Sequence, residues 1–132
     1  MIFLVTLAIF AGSTDRATGA GLAGSEWRPI AIGPSAPGAD TTIFVQFKAD
    51  GKLAGNGGCN RFFGSYRISG GKISFGPIGA TRMACPAPAM ELETALFIAF
   101  EAAKSFRKRG AELVLFDVRG GTILRMVQTD RD

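Results

Sequence analysis

The chain opens on an almost unbroken apolar run, Ile2 to Ala11 (IFLVTLAIFA), and continues through small and polar residues to Ala20. The run is too short for a membrane-spanning helix, which needs about 20 apolar residues, but it suits the core of a secretory signal. Ala11-Gly12-Ser13 and Thr18-Gly19-Ala20 both place small residues where a signal peptidase reads. Residues 1–20 are therefore read as a signal peptide cut after Ser13 or Ala20, although no Lys or Arg precedes the run as a basic n-region. A buried first strand is the alternative. No cysteine follows the run closely, so a lipid anchor is not expected.

Beyond this segment the pattern changes to a period of two. Trp27 to Ile32 alternates in bulk, but Pro29 lacks an N–H and points to a sheet edge or a strand start. Thr41 to Phe47 puts Ile43, Val45 and Phe47 on one face, and Asp50-Gly51 turns the chain back through Lys52, Leu53 and Ala54. Phe62 to Ile68 and Lys72 to Phe75 flank the turn Ser69-Gly70-Gly71. Pro86 and Pro88 then open a stretch with the spacing of a helix over about 88–106. Leu92, Leu96, Ala99, Phe100 and Ala103 form its apolar face, with Glu93, Glu101 and Lys104 directed away from it. Glu91 and Glu93 near its start and Lys104, Arg107 and Lys108 near its end suit the macrodipole, and Gly110 stops it. Glu112 to Val118 and Thr122 to Gln128 close as a hairpin about Arg119-Gly120-Gly121. The expected class is α+β: a curved antiparallel sheet, a partial barrel of about seven to eight strands, packed with one helix.

At 132 residues, with 47% hydrophobic and 20% charged, the chain makes one domain, here residues 21–132. The absence of histidine removes the Ser-His-Asp and Cys-His mechanisms and every histidine-ligated metal site. Fifteen basic against eleven acidic residues give +4, a mild excess that does not call for nucleic acid. Glu91 and Glu93, two apart on a helix, diverge and make no acid/base pair.

The densest local signal is Gly55 to Arg61 (GNGGCNR), rich in residues that accept unusual backbone angles. It lacks the Lys-Ser or Lys-Thr of a phosphate-binding loop and the strand-to-helix setting of a dinucleotide site. A structural turn is the expectation, with Asn56 and Asn60 bonded to the loop's own backbone. Cys59 and Cys85 lie in loop-like stretches, and in an exported chain such a pair most simply forms a disulfide. The competing reading is a reactive thiol stabilised by Arg61 or Arg82. If the two cysteines are joined, Asn60, Arg61, Thr81 and Arg82 are drawn into one polar patch able to meet an acidic group, unless those side chains bond to loop carbonyls instead. Two cysteines leave a zinc site short of ligands, so neither metal nor cofactor is expected. Lys104 to Arg109 (KSFRKR) is read as a solvated helix end, with an acidic partner or lipid headgroups as the alternative.

Gly57-Gly58-Cys59-Asn60-Arg61-Phe62 with Gly64 and Tyr66, then Ala80-Thr81-Arg82-Met83-Ala84-Cys85-Pro86 and Met90-Glu91-Leu92-Glu93, resemble the META domain of the HslJ-like heat-inducible envelope proteins. The resemblance covers about residues 25–128 and rests on the paired GCN and TRMAC motifs. It implies curved antiparallel strands around one helix, export, a role in envelope stress, drug tolerance or virulence, and no established catalysis. The function expected is that of a non-enzymatic periplasmic or secreted domain, supporting envelope stress tolerance by binding an envelope protein or an apolar ligand. A thiol-dependent redox protein using Cys59 and Cys85 is the alternative, and a protease inhibitor a further one.

Overall fold

The computed structural model describes residues 21–38 and 41–130, so the proposed signal segment 1–20 and its cleavage sites lie outside the described residues. Nine strands and one helix are present among them: β1 (Ser25–Ile32), β2 (Phe44–Phe47), β3 (Lys52–Asn56), β4 (Arg61–Ser69), β5 (Lys72–Phe75), β6 (Gly79–Ala80), α1 (Ala87–Ala102), β7 (Ser105–Arg109), β8 (Glu112–Phe116) and β9 (Thr122–Gln128). The sheet order is β3-β2-β1-β9-β8-β7-β5-β4-β6, and β3 also pairs with β4. That pairing closes eight antiparallel strands into a barrel, leaving β6 as an extra strand beside β4. The expected α+β class holds, and the expected curvature continues to closure, which removes most sheet edges.

Alternation along the strands selects the interior. Ile43, Val45 and Phe47 all point inward and are buried, as their period of two requires. Trp27, Phe47, Phe62 and Phe100 fill the interior together with Leu96, Leu113, Leu115, Leu124 and Met126. The ring of Phe47 meets that of Tyr66 edge-on at 5.0 Å, and Phe75 stacks obliquely on Phe100 at 4.8 Å. Because α1 packs against β1 and β9 on one side of the barrel and β5 on the other, it lies across a barrel end, with Leu96, Ala99 and Phe100 directed inward.

Three expectations are corrected. First, the helix ends at Ala102, and residues expected in its last turn form β7, which pairs with β8 from Ser105↔Phe116 to Arg109↔Glu112. Within the run 104–109, Ser105–Arg109 is thus a strand with Phe106 buried and Arg107 and Arg109 exposed, not a solvated helix end, and α1 has no acidic residue in its first turn and no basic residue in its last. The Arg107 guanidinium lies 5.4 Å from the Phe116 ring centre on the neighbouring strand. Second, Glu93 is buried rather than directed to solvent. Third, β1 is not an edge: it pairs with β2 through Ser25–Trp27 and with β9 through Trp27–Ile32. Pro29 is tolerated because, like Trp27, it directs its nitrogen toward the β2 side, where pairing has already ended, and a register shift follows it.

Candidate functional site

The two sequence motifs meet at a junction between barrel and helix. The turn after β3 is shaped by Gly58, whose φ of +116° suits glycine, and by Asn56, whose Oδ1 accepts the Gly58 N–H at 2.7 Å. A Cβ on Gly57 would lie 2.7 Å from Glu93 Cγ, so the loop can approach the helix only without a side chain there. Cys59 and Cys85 are joined as a disulfide across 26 residues, with their Cα atoms 5.9 Å apart.

Asn60 and Glu93 hold this junction from inside. Glu93 Oε1 accepts the backbone N–H groups of Cys59 (3.2 Å) and Asn60 (2.6 Å), and its Oε2 accepts Asn60 Nδ2 at 2.8 Å. Asn60 Nδ2 also donates to the Met83 carbonyl at 3.3 Å. Asn60 Oδ1 accepts the Thr81 hydroxyl at 3.0 Å and the Met83 N–H at 2.6 Å. Asn60 is 3% exposed and Glu93 5%, so both polar ends of the amide and both carboxylate oxygens are engaged by the chain's own groups.

The structure therefore brings Asn60 and Thr81 together, as expected for bridged cysteines, but uses them to fasten segment 81–85 to the barrel. Thr81 N–H donates to the Arg61 carbonyl and Thr81 Oγ1 accepts the Arg61 N–H, so Arg61 joins through its backbone. The Arg61 and Arg82 residues are exposed. Of the four residues proposed as a patch only Asn60 is buried; Thr81 is exposed too, but its hydroxyl is engaged by Asn60 and the Arg61 N–H. Sequence reasoning missed Glu93, since nothing local says that a helical glutamate will face a loop 33 residues away.

A second feature lies beside this junction. A cleft of about 460 Å³ runs between the Phe75–Ile78 segment and the helix residues Phe97, Ile98 and Glu101. An adjoining hollow of about 430 Å³ follows the outer side of α1 past Met90, Thr94 and Ala95, sharing Ile98. Ile98 is 59% exposed, an unusual position for a large aliphatic side chain on a helix that already buries Leu96, Ala99 and Phe100. This cleft has no local signature in the sequence, because Phe75 and Ile98 are 23 residues apart and are brought together only by the fold. Among the described residues no group of three or more Cys, Asp or Glu is placed to hold a metal ion, and no helix is long and apolar enough to cross a membrane.

Several solved structures share this architecture. A protein from Burkholderia xenovorans, solved by NMR, is 26% identical with a TM-score of 0.71, covering 99% of this chain and 99% of its own. A second NMR structure is 19% identical with a TM-score of 0.64 over 80% of this chain and 91% of that one. A DUF4847 family protein from Bacteroides vulgatus is 15% identical with a TM-score of 0.59, over 86% and 98% respectively. The last two likenesses are of fold alone. No curated protein matches the chain. The META domain model matches residues 20–130, spanning the barrel, the bridged junction and the helix, and this chain belongs to the META domain family.

Proposed function

We propose that this META domain is an exported, non-enzymatic binding module that supports envelope stress tolerance by holding another molecule in the cleft beside α1. The observation that carries this reading is the cleft itself: an apolar hollow of about 460 Å³ at the surface, walled by Phe75, Ile78, Phe97 and the exposed Ile98. The barrel interior is filled with side chains, so a ligand is expected at this outer site rather than inside the barrel.

Export is supported by the disulfide, since such bridges persist in oxidising compartments. Its setting favours a brace over a reagent: Cys59 is 6% exposed, and the segment carrying Cys85 is pinned independently by Asn60. Holding rather than turnover fits a junction whose buried carboxylate and amide are engaged by the chain's own groups.

The test uses 1-anilinonaphthalene-8-sulfonate, an apolar fluorophore, with wild-type protein and Ile98→Glu. Binding with enhanced emission in the wild type, lost in Ile98→Glu at an unchanged melting transition, is the expected result. Equal emission from both proteins, or none from either, would overturn the assignment of the cleft.

A further inference from the structure

The cleft is bordered by backbone groups as well as by side chains. In an antiparallel ladder, successive residues direct their N–H and C=O groups alternately to the two neighbouring strands. Ile73 N–H donates to the Lys104 carbonyl at 3.1 Å, away from β4, whereas Gly76 N–H donates to the Ser65 carbonyl of β4 at 3.0 Å. Phe75 stands two residues after the first and one before the second, so its N–H and C=O point away from β4. Its β4 neighbour is consistent, because Tyr66 N–H is given to the Gly51 carbonyl on the opposite side. Among the described residues no strand meets Phe75 where it points: the register between β5 and β7 consists of Lys72↔Ser105 alone.

The same alternation applies to β6. Thr81 N–H donates to the Arg61 carbonyl at 3.0 Å, so Ala80, one residue earlier and opposite Phe62, turns its backbone groups outward. Among the described residues β6 is the terminal strand of the sheet, with nothing paired on that side. Among the described residues the closed barrel thus keeps a short open edge, from Phe75 to Ala80, and the cleft lies along its Phe75–Ile78 part. Pro77 interrupts the row of donors between Phe75 and Ala80, which restrains edge-to-edge association between copies. Glu101 stands exposed on the facing wall and forms no ion pair among the described residues.

An alkyl chain would fill the hollow but would leave outward-directed N–H and C=O groups without partners as it displaced water from them. An extended polypeptide supplies both apolar side chains and the missing hydrogen-bond partners. We propose that the cleft takes an extended segment of a partner protein, added as a strand along the β5–β6 edge, with an apolar side chain between Ile78 and Ile98 and a basic side chain beside Glu101. This rests on the reading of the cleft as the binding site and specifies its occupant.

The experiment follows the amide resonances of Phe75 and Ala80 while an acetylated, amidated hexapeptide of alternating lysine and valine is added to the intact domain. Parallel arms use the same peptide N-methylated at alternate backbone nitrogens, dodecanoate, and the variant Ala80→Pro. That variant removes one outward N–H while leaving the Thr81-to-Arg61 bond in place. The peptide is expected to shift both amides and displace the fluorophore, and N-methylation of the peptide is expected to weaken it about tenfold or more. Ala80→Pro should weaken the peptide similarly and leave dodecanoate unaffected. Equal binding of the plain and methylated peptides overturns the strand-addition proposal. Displacement of the fluorophore by dodecanoate but not by the peptide also overturns it, while leaving the cleft reading intact; displacement by neither overturns both. Should Ala80→Pro melt early, the methylated peptide on the parent protein gives the decision by itself.

Discussion

Glu93 is the side chain on which the junction between barrel and helix most depends, and replacing it by alanine tests that directly. The substitution removes the Glu93 acceptor from three donors: the Cys59 and Asn60 backbone N–H groups, which are left unpaired, and Asn60 Nδ2, which retains its longer bond to the Met83 carbonyl. A buried neutral donor left unpaired costs roughly 1–3 kcal/mol. The three are not additive, because the loop relaxes and water reaches it once the carboxylate is gone. The expected loss is about 3–5 kcal/mol, less than three such costs added in full, and a large share of the roughly 5–15 kcal/mol of a typical domain. Glu93→Gln keeps an acceptor for the two backbone groups but turns an amide N–H₂ against Asn60 Nδ2, so about 1–2 kcal/mol is expected. Urea unfolding with the disulfide intact, followed by the fluorescence of Trp27, measures both, since the chain has a single tryptophan and it is buried. Asn60→Ala removes part of the same network, so the double variant should lose about 1–3 kcal/mol less than the two single losses added together. A loss under about 1 kcal/mol for Glu93→Ala, or a strictly additive cycle, would refute the clamp.

Three other outcomes follow from the geometry. Cys59→Ser should cost about 3.5 kcal/mol, the chain-entropy value for a closed loop of this length, and the Cys59→Ser/Cys85→Ser double variant should cost little more in the same denaturant melts. Gly55→Ala should cost upward of about 2 kcal/mol by thermal melting, because the new Cβ would meet the Phe44 carbonyl and come within 2.6 Å of Phe62 Cζ, and a paired backbone cannot retreat as a flexible side chain does. Tyr66, the only tyrosine, should ionise above the usual 10.0 in an absorbance titration, first because burial disfavours the phenolate and second because Asp50 is near; Asp50→Asn should therefore lower its pKa only in part. As a group raised on folding, it contributes stability that is complete below 10.0 and is lost as pH rises through the folded value.

Most of the barrel was legible because its signals are local. The two-residue period of Ile43, Val45 and Phe47, the glycine turns after β4 and β8, and the spacing of Leu96, Ala99, Phe100 and Ala103 all depend on neighbours in sequence. β7 was not legible for the opposite reason. Ala103 leaves the helix in an extended conformation, ψ 133°, with no glycine or proline between Ala102 and Ser105 to mark the change. One inward residue, Phe106, among Arg and Lys fits a helix end as well as a strand; pairing with β8 decides between them, and that contact is tertiary. Pro29 shows the converse. The expectation of an unpaired nitrogen was physically sound at the level of one residue, yet it described one side of the strand over a few residues, whereas barrel closure supplied partners elsewhere along β1.

The candidate site divides along the same line. GCN and TRMAC stood out in the sequence because they concentrate Cys, Asn, Thr and Arg, residue types able to do chemistry, but the structure engages the Asn and Thr in fastening segment 81–85 and helix α1 to the barrel. Fastening has a consequence for recognition. Thr81 follows β6 directly, and its N–H and hydroxyl are tied to Arg61 and Asn60. The same bonds that hold the TRMAC segment therefore hold Ala80 against β4 with its outer edge unpaired among the described strands, while the Glu93 clamp sets the rotation of the helix that carries Phe97 and Ile98 one turn further on. The distinctive motifs thus shape both walls of the cleft without lining it. A variant that loosens the junction should widen or collapse the cleft together with the fold, whereas Ile98→Glu changes the cleft alone, and it is the second kind of change that separates binding from stability.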